Sequence, residues 1–287
     1  MRPLAAIAFV TIGCTGVPPQ NAGPTPHAGT ATVQVLTLSY SKDAIYKYRF
    51  VLTSDFTVET MALTEQERID LAANEALAVS SVDSAGVAEV MVTFTSANLK
   101  TTVGSGQATA IINNGPSTLT DTHFWLAPDG RALNSYDGGT LPNDPVMFGV
   151  AADSRFVSAV LSDGAVKPGD TWTKNYDVPS GSGAGSIQVI AKSSYLRNEM
   201  FGGVQVAVVE TISAANVDIG ITGSSGILGA ASSDVTSWID PSAHRIVKTL
   251  LTSSSELSMA ASPFGSLVLG AGPFTQKGKQ TLDLEPA

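Results

Sequence analysis

Tyr46-Lys47-Tyr48-Arg49-Phe50-Val51-Leu52-Thr53-Ser54-Asp55-Phe56-Thr57-Val58-Glu59 is the stretch that decides the fold class. Tyr46, Tyr48, Phe50, Leu52, Phe56 and Val58 all fall on even positions. Lys47, Arg49, Thr53, Asp55, Thr57 and Glu59 fall between them. A period of two puts the first set on one side of an extended chain and the second on the other, the mark of a half-buried strand. At about 3.3 Å per residue the strand is long, so the sequence predicts a bend or bulge near Ser54.

The same alternation recurs downstream. Val90, Val92 and Phe94 form one strand, and Ile187, Val189, Ala191 and Tyr195 another. Val204 to Val208 follow, then Asp234 to Ile239 and Arg245 to Leu251. Residues 62–82 carry two patterns. Thr64 and Glu67 have capping-box spacing, whereas Ile69 and Leu71 alternate, and the strand reading is preferred. One segment reads as a helix. Asp144-Pro145 supplies an N-cap with proline at the first helical position; Val146, Val150, Val157 and Leu161 recur at roughly helical spacing, and Gly164 can close it. The expected architecture is mainly β: a large, strongly curved antiparallel sheet or half-barrel with one main helix, about 145–162, packed against it.

The first residues carry the clearest functional signal. Met1 and Arg2 precede an apolar run, Leu4 to Ile12, that is too short for an ordinary membrane-spanning helix. Thr11-Ile12-Gly13-Cys14 then resembles the lipobox of bacterial lipoproteins, although Thr11 stands where leucine is usual. The resemblance implies cleavage before Cys14 and lipidation of its sulfur. Cys14 is also the single cysteine of the chain, so no intrachain disulfide can form. Residues 15–32, with Pro18, Pro19, Pro24 and Pro26 among Gly, Thr and Ala, read as a tether. The predicted organisation is a signal peptide over 1–13, a lipid-anchored flexible linker over 14–32 and a single β-rich domain over 33–287. The protein is expected to be exported and held in the cell envelope, on the outer face of a membrane (periplasmic or cell surface).

Composition narrows the chemistry. The formal charge of −9 in 287 residues argues against binding to nucleic acid. No phosphate-binding glycine loop, dinucleotide fingerprint or Gly-x-Ser-x-Gly elbow occurs. His27, His123 and His244 lie far apart, and His123 beside Asp121 offers at most a weak ligand pair. No cofactor, metal ligand set or catalytic residue is expected. The sequence does not exclude a carboxylate pair for glycoside hydrolysis, and Asp218, Asp234 and Asp240 stand out no more than the other acidic residues for that role. The stripe Tyr46, Tyr48, Phe50, Leu52 and Phe56 reads first as core and otherwise as the lining of a cavity for a lipid or acyl chain.

A series of turn motifs adds a resemblance. Val166-Lys167-Pro168-Gly169-Asp170-Thr171-Trp172 is its most distinctive member. Before it come Tyr46 to Phe50, the Asp83 to Val92 turn and strand, and Pro128-Asp129-Gly130-Arg131; Trp238 to Val247 follows. In this order the motifs resemble an uncharacterised family of bacterial lipoproteins and secreted proteins, for which no activity can be carried over. A looser resemblance to LolA- and LprG-like half-barrels implies a curved sheet that carries lipid or lipidated cargo. Three functions therefore compete: a non-enzymatic, membrane-anchored binding or structural domain, a lipid or lipoprotein carrier, and a hydrolase with unrecognised carboxylates. The anchor has a direct test. An alkyne analogue of palmitate fed to cells should label the wild type and leave Cys14→Ser unlabelled, whereas equal labelling of both refutes lipidation.

Overall fold

The computed structural model describes residues 33–60, 64–104, 107–114, 122–135, 157–179, 185–221, 225–259 and 274–287. The expected signal peptide, Cys14, the linker, His27, Asp121 and most of the expected helix lie outside these residues.

Fourteen strands are described. They are β1 (Gln34–Val35), β2 (Ile45–Thr60), β3 (Thr64–Val82), β4 (Ala88–Val103), β5 (Gln107–Asn114), β6 (Thr122–Leu126) and β7 (Ala132–Ser135). Then come β8 (Ala165–Val166), β9 (Thr171–Pro179), β10 (Gly185–Phe201), β11 (Val204–Ile221), β12 (Ser225–Asp240), β13 (Arg245–Met259) and β14 (Phe274–Pro286). Twelve of them form one antiparallel sheet, eleven of these in the order β7-β6-β4-β3-β2-β14-β13-β12-β11-β10-β9. β5 pairs with the far half of β4, and β1 with β8 form a separate ribbon. The join between the chain's two halves is the pairing of β14 with β2, which sets Leu282 opposite Leu52 and Leu284 opposite Phe50. Residues 64–82 are strand, as their alternation indicates.

Two expectations need correction. No helix occurs among the described residues. The described part of the expected helix, 157–162, is extended coil with Ser158 to Leu161 buried, and the reason emerges from its hydrogen bonds below. The bulge expected near Ser54 is also absent, because β2 pairs without interruption with β3 and β14. The irregularities fall on other ladders, at Asn74/Glu75 and Val79/Ser81 against β4, at Tyr195/Arg197 and at Trp238/Ile239. An extra residue bends a strand and increases its twist, so these bulges curl the sheet on either side of β2.

The inner face carries the core. Phe50, Leu52, Leu71, Leu77, Phe94, Phe124, Leu251, Leu282 and Leu284 are buried there in one cluster. Phe50 meets Phe94 edge-on, with ring centroids 5.2 Å apart. The turns between β3 and β4, β6 and β7, β10 and β11, and β12 and β13 all lie at one end of the sheet, here called the clasped end, together with the start of β2 and the end of β14.

Candidate functional site

At the clasped end the two edges of the sheet come together. Lys174 of β9 reaches Asp129 in the β6–β7 turn at 2.6 Å and Asp163 at 2.6 Å. Arg131 holds Asp129 at 2.7 Å and stacks on the Tyr176 ring of β9 at 5.1 Å. Lys174 occupies an inward-facing position, in line with Ala191 across the ladder. An inward charge on an edge strand discourages pairing with another chain, and here it finds its partner at the opposite edge.

Residues 157–161 run between these edges and owe their shape to side chains distant in sequence. Ala159 N–H donates to Ser237 Oγ at 2.9 Å and Val160 N–H to Thr211 Oγ1 at 2.9 Å. Val160 C=O accepts from Ser193 Oγ at 2.8 Å and from Trp172 Nε1 at 3.0 Å. Leu161 N–H donates to Asp129 C=O at 2.9 Å. Ser193, Thr211, Ser237 and Thr249 are buried hydroxyls on four consecutive strands, linked in pairs at 2.8 Å (Ser193–Thr211) and 3.1 Å (Ser237–Thr249). A backbone whose polar groups are met this way has no need of helical bonds. Gly130 completes the fit: its φ is +87°, and a Cβ there would lie 2.7 Å from Ala159 O.

The sequence motifs converge on this end. Asp170 accepts from Lys167 N–H, Gly169 N–H donates to Tyr195 C=O, and Trp172 reaches Val160. Pro128 C=O accepts from Leu38 N–H, and His244 C=O from Ser39 N–H. His244, half-buried with a positive φ of 51°, therefore shapes the β12–β13 turn. Asp240 is buried and accepts from Ser242 N–H, Ser242 Oγ and Ala243 N–H. Burial opposes its charge, yet these bonds hold its carboxyl below the usual range. Asp240 is thus a turn builder. Asp218 and Asp234 are exposed on neighbouring strands, but Asp218 lies opposite Leu228, six residues from Asp234. That offset is about 20 Å, beyond the spacing of a glycosidase pair. Among the described residues no group of three or more His, Cys, Asp or Glu side chains is placed to hold a metal ion.

The aromatic stripe lies where its period puts it. Tyr48, Phe50, Leu52 and Phe56 are buried in the core, and Tyr46 packs partly buried against it, edge-on to Tyr40. Tyr48 Oη donates to Ile246 C=O at 3.3 Å, and burial, with the Glu75 charge beside it, pushes its phenol well up.

A concave feature of the described surface lies outside the core. It is a trough of about 820 Å³ across the outer face of β4, β3, β2, β14, β13 and β12. Its walls are side chains that alternate with core residues. Arg68 pairs with Asp55 at 3.3 Å, Lys277 pairs with Glu256 at 3.5 Å, and Lys279 lies opposite Asp55. Its floor is built of small groups, Ala230, Ser232 and Ser254, with the two hydroxyls 2.9 Å apart. Gly278 lets the sheet come close on the inner side, where a Cβ would lie 2.5 Å from the Phe56 ring. Sequence reasoning missed the trough, since its members are scattered over six strands and only the register assembles them.

No family model matches the chain, and no curated protein matches it. Among solved structures it is similar to a chain described under lipid–protein interactions in lipovitellin, at 11% identity and a TM-score of 0.46. The match covers 86% of this chain and 25% of that one, so the chain spans about a quarter of that structure's length.

The clasp predicts a pH-dependent contribution to stability. Burial alone would raise the Asp129 carboxyl, but Lys174 and Arg131 outweigh it and hold it below the usual range. A lowered folded value stabilises the fold above the ordinary carboxyl range and loses that effect as pH falls through the folded value. Asp129→Asn should cost about 1.5–3 kcal/mol at neutral pH in urea unfolding. Its deficit against wild type should close as the pH falls from about 5 towards 2. A deficit that is the same at both ends would show that the charge is not what matters.

Proposed function

We propose that this chain is an exported domain, lipidated at Cys14 and held on the outer face of a membrane, with a non-catalytic binding role centred on the outer trough. The observation that carries this reading is the trough itself. Six adjacent strands present a concave surface whose floor is hydroxyl and methyl groups and whose walls carry both signs of charge. Such a surface suits an extended polar ligand that can lie across strands, accept from Arg68, Lys277 and Lys279 and exchange hydrogen bonds with Ser232 and Ser254. Asp129, Arg131, Lys174 and Asp240 at the clasped end, by contrast, are engaged in holding the fold.

One observation favours a second reading, a carrier of lipid or acyl chains. Beyond Leu52 and Leu251 the inner face of β11 to β14 mixes small side chains with the buried Val217, Leu257, Gln276 and Gln280. Ser213, Ala215, Ala231, Ser233, Ser253, Ser255 and Gly278 share that face, and its four serines are only half-buried. Glu67, opposite Phe56 on β3, also faces inward, and burial beside Glu65 raises its carboxyl.

Adjacent residues separate the two readings, because Ser254 faces outward and Ser255 inward. A photoreactive amino acid placed at each in turn, and irradiated in living cells, should give discrete polar or protein adducts from position 254. Lipid adducts from position 255 alone would replace this reading with the carrier. No adducts above those of an exposed control at Thr252 would remove the trough as a binding surface.

A further inference from the structure

The clasped end carries a feature that neither the clasp nor the trough uses. Among the described residues ten large apolar side chains are exposed. Six of them, Val33, Val35, Ile45, Leu196, Met200 and Val204, belong to segments at this one end. The most exposed is Met200, at 68%, near the tip of the β10–β11 hairpin.

The hairpin is built to present that tip. Gly202 and Gly203 both have positive φ, 57° and 85°, and link the strands through a two-residue turn of the kind that fits strand twist. Neither has a side chain, so the cross-strand pair Phe201 and Val204 leads, with Met200 beside it on the other face of the ribbon. β10 runs six residues past Tyr195, which is fixed by the β8–β9 turn through Gly169 and Asp170; β11 stays paired with β12 as far as Ala207, so the hairpin stands three residues, about 10 Å, beyond that ladder. The charges on the hairpin are paired. Arg197 binds Glu199 at 2.7 Å, and the other Glu199 oxygen accepts from Trp238 Nε1. An isolated carboxylate would oppose entry into an apolar layer; a paired one opposes it less.

The chain from Cys14 arrives at the same end. Val33 and Val35 flank Gln34, whose side-chain amide donates to Tyr195 Oη, and β1 pairs with β8 beside it. The 18 residues between Cys14 and Val33 could reach about 60 Å if extended. At that reach the length of the linker alone would not fix the domain's orientation.

We infer that the clasped end lies against the lipid surface, with Met200 and Val204 of the β10–β11 hairpin entering its interfacial layer as a second, apolar attachment beside the lipid on Cys14. This rests on the Cys14 anchor proposed above. It leaves the trough on the outer face open to ligand, away from the membrane contact.

The experiment uses the full protein purified from membranes. Met200→Cys and Leu228→Cys are each labelled with the environment-sensitive dye NBD, lipidated Cys14 being blocked, and reconstituted in vesicles of phosphatidylcholine and phosphatidylglycerol. Leu228 is an equally apolar exposed control, at 55% exposure, in the far half of β12. Position 200 should shift to the blue, brighten several-fold and be quenched by lipids carrying a spin label on the upper acyl chain; position 228 should do none of these. Val204→Asp should abolish the response at 200. Water-like emission at 200, with mass spectrometry showing lipid on Cys14, overturns the inference and leaves the anchor standing. If Cys14 carries no lipid, the anchor fails instead. In that case a response at 200 to added vesicles still supports insertion, and no response refutes it.

Discussion

Among the described residues the large sheet ends in two edges, at β7 and at β9, and this fold depends on how they are held. An edge strand in general presents unpaired backbone groups that invite other chains. Here the edges approach without forming a ladder, and a buried, non-helical segment lies between them. The backbone of Ala159 to Leu161 donates to Ser237, Thr211 and the Asp129 carbonyl, and Val160 accepts from Ser193 and Trp172. Lys174 and Asp129 close the gap from the two sides. Hydroxyls buried on consecutive strands would cost free energy without partners. The segment needs them as much as they need it.

This arrangement divides the sheet. At the clasped end the turns pack on one another and on the 36–40 segment, and the interior is filled by Leu36, Phe124, Leu161 and Tyr195. Away from it the inner face carries serine, alanine and glycine beside the buried Val217, Leu257, Gln276 and Gln280, and the outer face opens into the polar trough. Twist alone makes a sheet saddle-shaped, so the same sheet can be concave to its core at one level and concave to solvent at another. Binding surface and clasp therefore occupy different parts of one continuous structure.

What the sequence made legible follows from the range of the interactions concerned. Alternation is local, so the long strand through Phe50 and the strand over 64–82 were readable from the residues alone. The turn at Pro128 to Arg131 and the Gly169-Asp170 turn were readable too, because their chemistry is contained within four residues. The 145–162 helix was misread for the opposite reason. Val157 and Leu161 have helical spacing, but the partners of the backbone between them lie 12 to 78 residues away. The bulges were misplaced because a bulge is a property of two strands, and β2 shows only one of them. The trough needs the register of six. Sequence alternation correctly separated Arg68 and Lys277 from the core, but nothing in it says that they share a concave wall.

The central claim is that side chains of distant strands fix the 157–161 segment as part of the core. Hydrogen exchange read by mass spectrometry at single-residue resolution tests it most directly. The account predicts that the amides of Ala159, Val160 and Leu161 exchange as slowly as those of central β11, through global unfolding alone. Exchange at these three amides as fast as at exposed Gly164 would contradict it and leave the sheet's edges without their clasp.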